Sequence, residues 1–186
     1  MEALRQLHNH VVAALAALLC LASVAMAQTE TLDSLFEELK GSDAQGAARI
    51  EREIWNEWSK SGSPAMDLLL QRGRDAMEAG DTAGAIEHFT ALTDHAPDFA
   101  EGWNARATAY FVAGELGPSV NDIAKTLTLN PRHFGALSGL GMIFEQLEQP
   151  EKALEAYQAA LAIHPHLEGV IESVERLEAE TAGTDL

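Results

Sequence analysis

The chain has 186 residues, with 12 Lys and Arg against 29 Asp and Glu, a formal charge of −17 at neutral pH, and 47% hydrophobic residues. That length and apolar share are enough for one domain with a continuous core, while the negative charge repels nucleic acid and anionic membrane surfaces and favours basic or neutral partners. A lone cysteine, Cys20, excludes an internal disulfide.

The first element is Val11 to Ala27, VVAALAALLCLASVAMA, apolar throughout except for Ser23. It follows Arg5, His8 and His10 and ends in Ala25-Met26-Ala27, so a short positive region, an apolar core and a small-x-small site stand in the order of a secretory signal cleaved after Ala27. Its 17 residues lie at the lower edge of what spans a bilayer. Leu19 stands before Cys20 where lipid-attachment signals have a small residue, so Cys20 reads as an apolar filler of the signal core. Residues 1–27 are therefore expected to be a signal peptide and the location periplasmic; retained, the same segment would tether the domain to a membrane. Once it is removed, no thiol remains for catalysis or metal binding.

Residues 28–63 read as two helices broken at Gly41-Ser42. Leu32, Leu35, Phe36 and Leu39 form one apolar stripe; Ile50, Ile54 and Trp58 form a second, with Trp55 beside it. Glu51, Glu53 and Glu57 with Arg49 and Arg52 read as a solvated, salt-bridged face. Pro64 lies 33 residues before Pro97, so this region is an N-terminal cap or a degenerate repeat, and its lack of a small/large pattern favours a cap.

The centre is periodic, since Pro97, Pro131 and Pro165 follow one another at 34 residues. Three blocks, 66–99, 100–133 and 134–167, carry matching positions: Gly73, Ala107 and Gly141 are small, Phe89, Ile123 and Tyr157 are large, and Leu69, Trp103 and Leu137 open the first helical face of each block. This arrangement resembles the tetratricopeptide repeat, a helix pair whose W-x₂-L-G-x₂-Y…A-x₃-F…P pattern has a period of about 34 residues. The resemblance implies an all-α, right-handed α-solenoid of three helix pairs with N- and C-terminal capping helices. Small residues are expected where paired helices cross closely, and large ones where neighbouring helices leave space. Gly80 and Gly114 are expected to end first helices, with Pro118 and Pro150 near the start of second ones. Ser119, Leu92 and Thr126 depart from the usual small apolar residues and suggest looser packing of the middle unit. The likeness also implies an exported bacterial member of the family.

After the third block, Val170, Val174 and Leu177 give one apolar stripe on an acidic helix over 168–180, a terminal cap with one wet face. Residues 181–186 are expected to fray.

Enzymatic motifs are missing: the sequence has no Gly-rich phosphate loop, no G-x-S-x-G and no H-E-x-x-H. No catalytic residue, cofactor or metal site is expected. His164 and His166 flank the repeat proline at a helix end, where the helix dipole accounts for them, as it does for His95. The three tryptophans read as packing residues.

What remains is a binding surface. In the tetratricopeptide family, fixed positions of each first helix face a concave groove. Carried onto this chain, they give Asp67, Leu70, Arg74, Met77 and Glu78, then Glu101, Asn104, Thr108, Phe111 and Val112, then Gly135, Ser138, Met142, Glu145 and Gln146. An apolar floor with acidic neighbours suits a protein or peptide partner with apolar anchors and basic residues. Asn104 and Arg74 are the polar groups suited to holding a backbone or carboxylate. The chaperone-tail type of groove is not matched, because Leu70, Gly135 and Gly139 stand where it needs polar or basic groups. The expectation is an exported interaction module or scaffold, with a membrane-tethered assembly factor, or a hydrolase using Glu101 and Glu145, as the alternatives.

Overall fold

The computed structural model describes residues 30–184, so the expected signal segment lies outside the described residues. Every regular element among them is a helix: α1 (30–41), α2 (Ala44–Trp58), α3 (Pro64–Glu78), α4 (Thr82–His95), α5 (Ala100–Val112), α6 (Leu116–Leu129), α7 (Phe134–Gln146), α8 (Pro150–Ile163) and α9 (Glu168–Thr184). None is long and apolar enough to cross a membrane.

Local chemistry sets the boundaries. Asp43 and Asp81 cap α2 and α4 by accepting from the Gly46 and Gly84 amides at 2.8 and 2.9 Å. Pro64 and Pro150 open α3 and α8, where a missing amide costs nothing. After α3 and α5 the chain turns through Gly80 and Gly114, both at φ +78°; at the same place after α7 it uses Glu148 at φ 55°. The third unit thus forces a side-chain-bearing residue into a left-handed turn, at a cost of about 1 kcal/mol.

Helices pair as α3 with α4, α5 with α6 and α7 with α8, the pairs stack in series, and α9 closes the end against α8. The architecture is an α-solenoid of three helix pairs with helices at both termini. Each pair interlocks by size. A Cβ on Gly73 would lie 2.2 Å from the Phe89 ring, and one on Gly141 would lie 2.4 Å from the Tyr157 ring. In the middle unit Ala107 has its methyl, and the residue facing it is the smaller Ile123; both are buried. The two unusual hydroxyls of that unit are satisfied: Ser119 Oγ donates to the Ala107 carbonyl at 2.8 Å and Thr126 Oγ1 to the Asp122 carbonyl at 2.9 Å. Arg106 adds a fork onto Asp122 at 2.6 and 2.9 Å, with Trp103 under the guanidinium at 4.8 Å. Trp103 Nε1 donates to the Pro97 carbonyl, so this tryptophan braces an inter-unit turn. On α9, Val170 and Leu177 bury against Ala153 and Tyr157, and the helix runs on past the expected end at residue 180.

The N-terminal hairpin α1–α2 is not stacked in series ahead of α3. Its stripe of Leu35, Phe36, Leu39, Ile50, Ile54 and Trp58 buries against Phe134, Ile163 and Leu167, which lie at the turns leading into α7 and α9. Trp58 packs its ring at 5.0 Å from that of Phe134, and Arg132 covers the Phe36 face at 4.4 Å while pairing with Asp33. The expected acidic face of α2 is divided: Arg49 joins Glu53 and Glu38 in solvent, whereas Glu51 turns inward toward His164.

Candidate functional site

The face on which α3, α5 and α7 adjoin carries the expected groove residues, and α2 lies along it. Trp55 is the divider. Its ring sits against the Gly135 backbone, where a Cβ would come within 2.7 Å, and it stands edge-on to Phe134 and His133. Three recesses lie on this face, and Trp55 lines two of them.

Between α3 and α5, Arg74, Met77, Asn104 and Thr108 line a recess of about 370 Å³ with Trp55 as one wall. Between α5 and α7, Phe111, Val112, Ser138 and Met142 border one of about 330 Å³. The third, about 740 Å³, runs between α2, α7 and α9 and includes Trp55, Gly135, Ser138, Met142, Glu145 and Tyr157. Glu78 reaches the first recess, and Val112 and Met142 are among the few large apolar side chains left exposed.

Three expected groove residues are engaged within the protein. Leu70 is 2% exposed in the core with Ala85, Phe89 and Leu92, because its position on α3 faces α4 and α5 more than the open side. Asp67 fastens the α2–α3 turn, accepting from the Ser61 amide at 2.8 Å and from its hydroxyl. Glu101 is 3% exposed. One of its oxygens takes Arg74 at 2.6 Å, and the other takes Asn104 and His133 at 3.1 Å each. Arg74 also donates to Ser59 Oγ, so the polar groups suited to gripping a partner are tied to the end of α2.

The histidine geometry fixes its protons. His133 is fully buried, and its Nδ1 accepts from the Ala136 amide at 3.1 Å, which leaves Nε2 to donate to Glu101. Trp58 stacks on the ring at 4.2 Å. His164 is built likewise: its Nδ1 accepts from the His166 amide at 3.2 Å, so a neutral ring serves the turn rather than a cation serving the helix dipole. Its Nε2 faces Glu51 at 3.4 Å, outside hydrogen-bond geometry. That facing imidazole, followed by the Trp55 indole N–H, holds the Glu51 carboxyl below its ordinary range although partial burial opposes it. Glu145 receives the Tyr157 hydroxyl at 2.7 Å and Arg176, and burial followed by that carboxylate pushes the phenol up. Glu101 and Glu145 border different recesses, each with internal partners, and no group of three or more metal-ligating side chains forms among the described residues.

Ser59, Glu51, Trp55, His133 and His164 thus belong to the site although family positions did not point to them. The available signal was the placement of His133 and His164 beside the repeat prolines, which says nothing of α2.

Two sequence profiles described as tetratricopeptide repeat match residues 135–167 and 70–117. A TPR repeat-containing protein of Rhizobium etli is 37% identical over 155 residues, covering 83% of this chain and 76% of that protein. Hsp70-Hsp90 organizing protein of Triticum aestivum is 25% identical over 63% of this chain but 21% of its own length. Among solved structures, the first TPR of Spaghetti (RPAP3) bound to an HSP90 peptide superimposes with a TM-score of 0.60 at 22% identity, over 63% of this chain and 93% of that one. MamA gives 0.59 at 21% identity, over 83% and 82%. At those identities the structures speak to the fold alone. With a relative 37% identical across most of both chains, and with the small/large interlock repeated in its three units, the chain belongs to the tetratricopeptide repeat family.

Proposed function

We propose that this chain is an exported interaction module that holds a partner polypeptide on the face formed by α3, α5 and α7, without chemistry of its own. The observation that carries this reading is on that face: Val112 and Met142, 59% and 48% exposed, stand there as unburied apolar side chains on one recess, and acidic groups edge the other two. Similar domains support it, since the first TPR of RPAP3 is bound to an HSP90 peptide. The partner is a protein or peptide with apolar anchors and basic residues, matched to a chain of charge −17. Export to the periplasm rests on the signal pattern of residues 1–27. A hydrolase is disfavoured because Glu101 and Glu145 are both held by internal partners.

The test is a photo-crosslinking amino acid placed at Met77, Phe111 or Met142 in the full chain expressed in cells, followed by reconstitution with the purified adduct partner. Binding is expected to be lost in a Met77→Glu, Phe111→Glu, Met142→Glu variant with an unchanged helical spectrum. Equal binding by that variant places the partner on another face. Mass measurement of the exported chain locates its N-terminus: a start at Gln28 fits a released module, and an intact N-terminus makes it membrane-tethered.

A further inference from the structure

The recess of about 740 Å³ is bounded by three helices with a small residue at each approach: Ala44 and Ala48 on α2, Gly135 and Ser138 on α7, Gly169 and Ser173 on α9. These small residues leave open a slot between α2 and the solenoid whose walls run for about 15 Å, at 1.5 Å per residue from Gly135 to Glu145. Its volume is about 740 Å³. A helical occupant about 10 Å across would fill roughly 1,200 Å³ over that length, whereas an extended chain advancing about 3.3 Å per residue covers it in about five residues. The slot therefore fits a strand-like segment.

Its chemistry is equally selective. Met142 and Val170 supply apolar surface, Glu51, Glu145 and Glu168 stand along the walls, and no Lys or Arg among the described residues lines it. Glu145 is already engaged by Tyr157 and Arg176, and Glu51 Oε1 accepts from Trp55 Nε1 at 3.2 Å, which leaves Glu51 Oε2 and the Glu168 carboxylate to meet an occupant. In the wall beside Glu51 lies His164 Nε2, a fully buried side-chain nitrogen with no hydrogen-bond partner among the described residues. The ring's other nitrogen is taken by the His166 amide, so this Nε2 carries a proton, which Glu51 Oε2 at 3.4 Å is not aligned to receive. A buried donor left unmade is costly, and an acceptor brought to it recovers that cost.

We propose that the slot between α2, α7 and α9 binds an extended peptide segment of about five residues from another protein, with a Lys or Arg side chain pairing with Glu51 and a main-chain carbonyl accepting from His164 Nε2–H. Apolar residues on either side of the basic one pack on Met142 and Val170. This rests on the interaction-module reading and narrows it: the N-terminal hairpin forms one wall of the binding site.

The experiment uses protein purified after expression of the full chain and two fluorescein-labelled, acetylated hexapeptide pools, one carrying a single Lys or Arg among apolar residues and the other a Glu in its place. Fluorescence anisotropy is expected to show the basic pool binding about tenfold tighter than the acidic pool. Ala48→Trp plugs the slot from the exposed face of α2 and is expected to weaken the basic pool at least about tenfold. Glu51→Gln weakens it roughly threefold to tenfold, as suits a partly exposed pair. Leu68→Trp, which places the same side chain at an exposed site on α3 away from the slot, leaves it unchanged. Equal affinity for both pools, absence of binding by either, or full binding by Ala48→Trp overturns the proposal. Should the partner found by crosslinking still bind Ala48→Trp but not the triple groove variant, the slot inference fails while the interaction-module reading stands.

Discussion

The three helix pairs and the N-terminal hairpin bury apolar stripes of the same kind, yet they are held by different sorts of contact. In the pairs, each small residue meets its large partner 16 residues along the chain, Gly73 with Phe89 and Gly141 with Tyr157. In the hairpin the partners are remote: Trp58 stacks on His133, and Asp33 pairs with Arg132 at a separation of 99 residues. A repeated local contact propagates along a solenoid, whereas the hairpin depends on a single aromatic cluster. Loss of one local pair should therefore weaken one unit, while loss of one cluster member should release the hairpin as a whole.

The largest effect sharpens that contrast. Trp58→Ala removes a buried ring that touches Phe36, His133 and Phe134, a change worth about 3 to 5 kcal/mol. Hydrogen exchange is expected to show loss of protection over α1 and α2 with α3 to α9 retained; uniform loss along the chain would break the comparison. Next, Gly141→Ala places a methyl against the Tyr157 ring and costs about 1 to 3 kcal/mol. Combining it with Tyr157→Ile recreates the Ala107–Ile123 pairing of the middle unit, so chemical denaturation should reveal a favourable coupling of about 1 kcal/mol between the two changes. Additive losses would mean that the size match is not what locks the pairs.

Smaller again is Glu148→Gly, which gives the third unit the glycine that the others have at φ +78° and is expected to raise stability by about 1 kcal/mol in the same assay. The finest test concerns Glu51. Its carboxyl is held below the ordinary range, so the contribution it makes is present above the unfolded-state pKa and is lost as pH falls through the folded value. Protection of the hairpin should accordingly decline on acidification below the usual carboxylate range, and Glu51→Gln should flatten that decline.

The solenoid was legible in the sequence because a 34-residue period repeats its own evidence: glycine, aromatic and proline recur at fixed offsets, and the exchange of Gly/Phe for Ala/Ile in the middle unit stays within the pattern. The stripes of α1 and α2 were legible as buried faces, but a stripe reports that a face is covered and not what covers it. Hence Trp55 against Gly135, and Ser59 on Arg74, had no signal in the sequence. The groove positions were legible as a face, yet Leu70 on α3 proved to be core and Glu101 a buried acid, since helical periodicity cannot distinguish an inner wall from an open one.

The dependence of Trp58 on Phe134 also sets an order in time. A ribosome adding about 5 to 20 residues per second needs roughly 4 to 15 s to travel from the one to the other. Throughout that interval α1 and α2 present their apolar stripe with no docking site yet in existence. The stripe is made well before the residues that cover it, and a nascent chain must be kept from aggregation until α7 emerges.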